Sequence, residues 1–264
     1  MRKLPPTRAQ IRPLSTRQHR AWLATWLQDR RRGRIAPTEP EPEVSPLLVN
    51  LVGYFNLDEA GDWDDAIDAT GIMGDLVANG SIPAHAGPGA HGARDFGAGG
   101  IYSGSQLEQA GFNALTAVPV TINLWHYQVF DGGQIPLQAS GDGAQGMYLF
   151  VATDGGWLDA GLIGAGGNQN TGMVFGSWGV EAWNMFTIVF DATNWQVYVN
   201  GVEIGTGAHS ATSFAASNTL FQLSGLPWTC DAYLSLVGLW NRALSAVEVD
   251  QLYNFGDGLA YGEL

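Results

Sequence analysis

Between Trp183 and Gly256 the chain carries a sequence of local signals that few folds satisfy. WNMFTIVFD is a strand-like run from Trp183 to Asp191, followed by the polar turn Asp191–Asn194. In WQVYV, Trp195, Val197 and Val199 point one way, and Gln196 and Tyr198 the other, the period of a strand. Asn200-Gly201 then predicts a two-residue type I′ turn, which needs positive φ at both positions, and Val202-Glu203-Ile204 returns as its partner strand. Tyr233 to Trp240 reads as another apolar strand. Ser245 with Glu248 three residues on is a capping box that opens a short helix bearing Val249, Leu252 and Tyr253 and ending near Asn254 and Gly256.

Trp183, Asp191, Tyr198–Gly201, Arg242–Ser245 and Leu252–Asn254 together resemble the concanavalin A-like, laminin-G-type jelly roll. Leu51–Asp58, Ala93–Phe96 and Thr121–Trp125 fit its earlier strands. The resemblance spans residues 47–262 and implies an all-β sandwich of two antiparallel sheets. The same fold serves lectins, glycan hydrolases, receptor modules and virus structural parts, so it does not choose a function. Thirty-six glycines and many short apolar runs between turn signals agree with an all-β sandwich or barrel. The single cysteine, Cys230, excludes an intrachain disulfide and reads as a small buried hydrophobe beside Trp228.

Charge divides the chain in two. Residues 1–34 carry ten of the twelve basic residues against Asp29 alone, a net +9. The remainder sets Arg94 and Arg242 against 24 acids, a net −22. The expected organisation is a basic N-terminal arm with its linker (1–46) and a jelly-roll domain (47–264). Within the arm, Ser15 or Thr16 can cap a helix running to about Arg32, with Trp22, Leu23, Trp26 and Leu27 on one narrow apolar face. Arg30, Arg31 and Arg32 sit in its last turn, where cations complement the helix dipole, and Arg34 follows the Gly33 stop. Ala36–Pro46 (APTEPEPEVSP) alternates Pro and Glu and favours extended polyproline II geometry. The arm lacks the uninterrupted apolar core of a signal peptide, and no stretch has the length of a membrane-spanning helix. Paired tryptophans suit docking to another protein better than to a phosphate track, so nucleic acid and membrane are not the expected partners.

Motifs that carry chemistry are sparse. Gly87–Gly92 matches G-x-G-x-x-G without the strand before it or the helix after it, and reads as a flexible loop. Cys and His have no zinc spacing, and no serine sits in a nucleophile elbow. The concave-strand acids of sandwich hydrolases find no counterpart. Asp62, Asp64, Asp65 and Asp68 cluster in a Gly-flanked stretch that reads as a solvated loop. Where the family's calcium-binding members place an Asp-Glu pair before R-A-L-S, this chain has Ser235 and Leu236, which removes two hard oxygen ligands. No cofactor and no metal are expected. Arg242 is expected to be structural, paired with a carboxylate beneath the closing turn. For sugars, Asp154, Trp157, Asp159, Asn168, Asn170 and Trp178 in a Gly-rich stretch supply stacking rings and short polar groups, although Trp157 and Trp178 also read as core or edge residues of a sandwich.

The expected function is non-enzymatic. It is that of a virion structural protein, particularly of a bacteriophage: a capsid decoration, collar or tail component, assembled in the host cytoplasm as a homo-oligomer. The arm would hold it to other virion proteins while the sandwich meets host surface glycan. A cellular carbohydrate-binding or adhesion module is the alternative, and a glycan-active enzyme a weaker one.

Overall fold

The computed structural model describes residues 44–97, 105–112, 115, 117–129, 133–140, 146–152, 156–164, 167–211, 219–224 and 230–264. The expected arm helix, with Trp22, Leu23, Trp26, Leu27, Arg30, Arg31, Arg32 and Arg34, lies outside the described residues. Ser45–Leu264 form one compact unit.

Four short strands come first: β1 (Leu51–Phe55), β2 (Val77–Asn79), β3 (Ala84–Ala86) and β4 (Gly92–Asp95). Five longer ones follow: β5 (Gln106–Phe112), β6 (Val120–Gln128), β7 (Gly133–Ser140), β8 (Gly146–Ala152) and β9 (Trp157–Gly164). Next are β10 (Gly167–Asn170), β11 (Val174–Phe175), β12 (Trp183–Phe190) and β13 (Asn194–Val199). The chain closes with β14 (Val202–Ala208), β15 (Thr219–Leu223), β16 (Ala232–Trp240) and the helix α1 (Ala246–Tyr253). Sheet 1 runs β14-β13-β12-β6-β16-β4-β3, with β1 also on β16, and sheet 2 runs β10-β9-β8-β7-β15-β5-β2, with β11 on β9. The predicted two-sheet antiparallel sandwich is what forms.

Strand alternation builds the core. Val120, Ile122 and Leu124 of β6 and Phe186, Ile188 and Phe190 of β12 meet Met147, Leu149 and Val151 of β8 and Leu158, Ala160 and Leu162 of β9. The opposite parity of sheet 1 makes a second apolar layer. Trp125, Met185, Val189, Tyr198, Leu236 and Trp240 are covered there by Leu47, Leu244, Val249 and Leu252. Trp125 stacks on Tyr253 at 5.7 Å, and the Trp240 indole N–H donates to the Leu47 carbonyl at 2.7 Å.

Local rules set this covered side. Asn200 and Gly201 take φ of 52° and 79°, the type I′ signature, and Asn200 Oδ1 accepts from the Met185 N–H at 2.8 Å. α1 opens on the capping box of Ser245 and Glu248 and ends on left-handed Asn254. Arg242 forks onto Glu248, at 2.6 and 3.1 Å, and donates to the carbonyls of Pro46 and Val49. Burial pushes the Glu248 carboxyl up, but the Arg242 fork and the Ser245 donors outweigh it and bring it down to about 2.

Of the aspartate cluster, Asp62, Asp64 and Asp65 are exposed, as a solvated loop predicts, and Asp68 alone departs from it. Asp68 is 4 % exposed and accepts from the backbone N–H groups of Tyr54, Thr70, Met73 and Gly74 and from the Thr70 hydroxyl. Burial alone would raise its carboxyl, yet these donors hold it below the ordinary range. Asp65 accepts from the Ala78 N–H at 2.9 Å, tying the same segment to β2. Arg94 is fully buried, and its guanidinium donates to the carbonyls of Ile82, Asp64 and Asp62 and faces Glu59 at 3.6 Å. Gly87–Gly92 closes the β3–β4 hairpin, with the Gly87 N–H on the His91 carbonyl at 2.9 Å, rather than forming a free loop. Ser235 donates to the Gly92 carbonyl, and the Leu236 side chain is in the second apolar layer. Among the described residues no group of three or more His, Cys, Asp or Glu side chains is placed to hold a metal ion.

Candidate functional site: the outer face of sheet 2

Because Leu107, Leu137, Leu149, Leu158 and Phe221 face the core, their strand neighbours face outward. A polar row crosses the sheet. Glu108 of β5 is opposite Gln222 of β15, Gln222 opposite Gln138 of β7, and Gln138 opposite Tyr148 of β8. Tyr148 then pairs with Gly161 of β9, and Gly161 with Asn170 of β10. The row is wired: the Gln138 amide donates to Gln222 Oε1 at 2.8 Å, Gln222 donates to Glu108 Oε2 at 3.3 Å, and Gln106 donates to the same carboxylate oxygen. Gln106 and Gln222 are recessed, each 6 % exposed.

An aromatic group adjoins the row. Phe150 and Trp157 stack at 4.8 Å with 19° between their planes. Phe175, opposite Trp157 across the β11–β9 pair, is 65 % exposed. Glycine makes room for these rings: a Cβ at Gly161 would strike the Tyr148 ring, and one at Gly133 the Phe150 ring. Asp159 lies between the two groups, opposite Phe150, and accepts from the Tyr148 hydroxyl at 2.9 Å and from Thr171 at 3.4 Å. Burial pushes its carboxyl up despite those donors.

Of the residues singled out in the sequence, this face brings together Trp157, Asp159 and Asn170. Asn168 pairs with Ile163 through β10, its side chain outside the described residues, as is all of Asp154. Trp178 belongs elsewhere. Its ring meets Phe186 edge-on at 5.4 Å and, partly buried, packs against the core, so it does not join the outer face. Sequence reasoning missed Gln106, Glu108, Gln138, Tyr148, Phe150, Phe175 and Gln222. The available signal was parity: in Gln106-Leu107-Glu108 and in Phe221-Gln222-Leu223 the polar residues alternate with core leucine or phenylalanine.

A separate polar nest is sealed between the sheets. Cys230 is 2 % exposed, its thiol donates to Gln134 Oε1 at 3.1 Å, and its Sγ lies 3.7 Å from His126 Nε2. Burial pushes the thiol well up and brings His126 down to about 4 despite its bond with Gln134, so neither is charged near neutrality. A protonated thiol has little nucleophilicity, and the nest is structural.

A family model, laminin-G-type and described as the concanavalin A-like lectin/glucanases superfamily, matches residues 99–250. No curated protein matches the chain in sequence. Among solved structures, the sandwich is similar to domain 4 of AbnA, an extracellular arabinanase from Geobacillus stearothermophilus solved with arabinotriose. That match has TM-score 0.60 and 16% identity, over 76% of this chain and 97% of that one. It is also similar to the binding domain of paraclostridial mosquitocidal protein 1, with TM-score 0.57, 14% identity, and 78% of this chain against 52% of that one. The botulinum neurotoxin serotype G binding domain gives TM-score 0.57 and 15% identity, over 78% of this chain and 51% of that one. The chain therefore spans about half the length of the two toxin domains and nearly all of the arabinanase domain. At these identities the structures speak for the fold alone, but the family match covers more than half of the chain: the protein belongs to the concanavalin A-like lectin/glucanases superfamily.

Proposed function

We propose that the sandwich is a non-catalytic glycan-binding module, displayed in several copies on a virion by its basic N-terminal arm. The observation that carries the glycan reading is the outer face of sheet 2. Stacked Phe150 and Trp157 offer an apolar platform for sugar rings, and the adjoining Glu108, Gln222, Gln138, Tyr148 and Asp159 offer partners for hydroxyls. Two similar domains, those of the arabinanase and the mosquitocidal protein, are described as saccharide-bound or as binding domains, which agrees with this reading.

Carboxylate placement supports binding without hydrolysis. Glu108 and Asp159 are separated by β15, β7 and β8, roughly 19 Å at the usual strand spacing, whereas glycosidase pairs are about 5–9.5 Å apart. The display reading rests on the charge division of the chain and on where the sandwich begins. Leu47 packs on Trp240 in the second apolar layer, so the chain enters on the side of sheet 1, opposite the candidate face.

The test is a saccharide panel presented to the full chain and to Trp157→Ala. Binding lost in the variant, with unchanged far-UV spectrum and melting, is the expected result. Equal binding by both would remove the outer face of sheet 2 as the site. Deleting residues 1–46 should leave saccharide binding intact and abolish incorporation into the particle; incorporation at normal occupancy would sink the anchor role.

A further inference from the structure

We infer that this face selects saccharides by charge: it takes a hydrogen-bond-donating sugar that is neutral or amino-bearing, and it rejects acidic sugars. The inference rests on the glycan reading above and adds the substrate class.

Glu108 fixes the direction of the polar row. An ionised carboxylate only accepts, so Gln106 and Gln222 both turn their amide nitrogens toward it, and Gln222 in turn offers its oxygen to Gln138. The remaining capacity is therefore weighted toward acceptors. Gln106 is recessed beneath the row, so the acceptors open to an incoming O–H or N–H are those of the carboxylates. The Glu108 and Asp159 carboxylates place these acceptor sites at either end of the face.

Positive charge is scarce in this domain. Residues 44–264 contain two basic side chains, Arg94 and Arg242, against 21 acids, a net charge of −19. Both arginines are committed away from this face: Arg94 is buried on the carbonyls of Ile82, Asp64 and Asp62, and Arg242 is forked onto Glu248 beside α1. His85 stacks on Tyr233 of sheet 1, His91 pairs with Glu263, His126 is in the sealed nest, and His209 bonds the Asp191 carbonyl. The loop segments outside the description contribute no Lys, Arg or His by sequence; they contribute Asp131, Asp142 and Asp154. A uronate, sialate or sulfate brought here would meet acceptors and like charge, with no guanidinium or ammonium to receive it.

The experiment uses the full chain in about 0.15 M salt, which screens long-range attraction to the basic arm. Probes are cello-, manno- and galacto-oligosaccharides, each compared with its C6-carboxylate form and its 2-amino form. The quantity read is the part of the affinity that Trp157→Ala removes, which excludes whatever the arm contributes. The neutral form should bind, the carboxylate form about tenfold or more weakly by comparison, and the amino form several-fold more tightly. In Glu108→Gln with Asp159→Asn the ratio of amino to neutral affinity should fall to about one. A carboxylate form that binds as well as its neutral parent, in a Trp157-dependent way, would overturn the inference and leave the glycan reading standing. If no probe of any charge shows Trp157-dependent binding, both fall together.

Discussion

The outer faces of the two sheets come from one folding rule and end in opposite chemistry. On sheet 1 the outward parity is tryptophan, methionine, valine and tyrosine, and the chain returns to cover it with Leu47, Leu244, Val249 and Leu252. On sheet 2 the same parity is glutamine, glutamate, tyrosine and aspartate, with Phe150 and Trp157 stacked beside them. A jelly roll needs only its inner layer to hold together. The apolar outer face therefore marks where added stability comes from, and the polar one where recognition is left room. Substitutions on the two faces should separate folding from binding.

The largest effect is expected at Trp240, fully buried in the covered layer and bonded to Leu47. Trp240→Ala should cost about 4 kcal/mol of stability, read by denaturant unfolding, while saccharide affinity measured well below the melting point stays unchanged. A parallel loss of affinity would show that the two faces are coupled. Arg242→Ala should come next, at about 3 kcal/mol, since it leaves the Glu248 carboxylate without its partner. Glu248 is lowered in the fold to about 2 from an ordinary 4.5, so its contribution is complete above the ordinary value and is lost as the pH falls toward 2. Thermal melts of Arg242→Ala should accordingly depend less on pH in that window than those of the wild type. An unchanged pH dependence would contradict the pairing.

Acid should weaken both faces at once, because His126 lies in the layer they share. Its folded value is about 4 against an ordinary 6.5. The neutral ring is favoured in the fold, so this contribution is whole above 6.5 and disappears as the pH drops through 4, on the order of 3 kcal/mol. His126→Gln should flatten the stability profile between those limits; a profile as steep as before would place the acid sensitivity elsewhere. The smallest effect on folding belongs to Trp157→Ala, less than about 1 kcal/mol for a half-buried surface ring, with binding lost. A large drop in stability there would make Trp157 a packing residue.

The sequence made the covered side legible because its determinants are local. Asn200-Gly201 sets its own turn, Ser245 and Glu248 are three residues apart, and Arg242 meets Glu248 within one helical turn of the cap. The polar row has no such locality. Glu108, Gln138 and Gln222 touch only because β15 inserts between β5 and β7, an order of pairing that no short motif encodes. Gly133 and Gly161 carry no local signal for their role, which is the space they leave for the Phe150 and Tyr148 rings. Trp178 shows the converse. A tryptophan among glycines suits a sugar platform or a core position alike, and its place after β11 turns it toward Phe186 and the core. Asp62, Asp64 and Asp65 face water, as carboxylates near glycines normally do, but five donors converge on Asp68, and no local signal sets it apart from its neighbours.

That convergence bears on how the segment behaves over time. Leu57 to Pro83 is mostly irregular between β1 and β3, the kind of stretch where a protease would be expected to cut first. Asp68 gathers its backbone from within, and Arg94 grips the carbonyls of Asp62, Asp64 and Ile82 from β4. Opening the segment would strip Asp68 of its donors and strand the Arg94 guanidinium in the interior, so local fraying is disfavoured and release should accompany global unfolding. Amide protons at Tyr54, Met73 and Gly74 should then exchange as slowly as those of the central strands, and an outwardly loop-like stretch should outlast many regular ones under limited digestion.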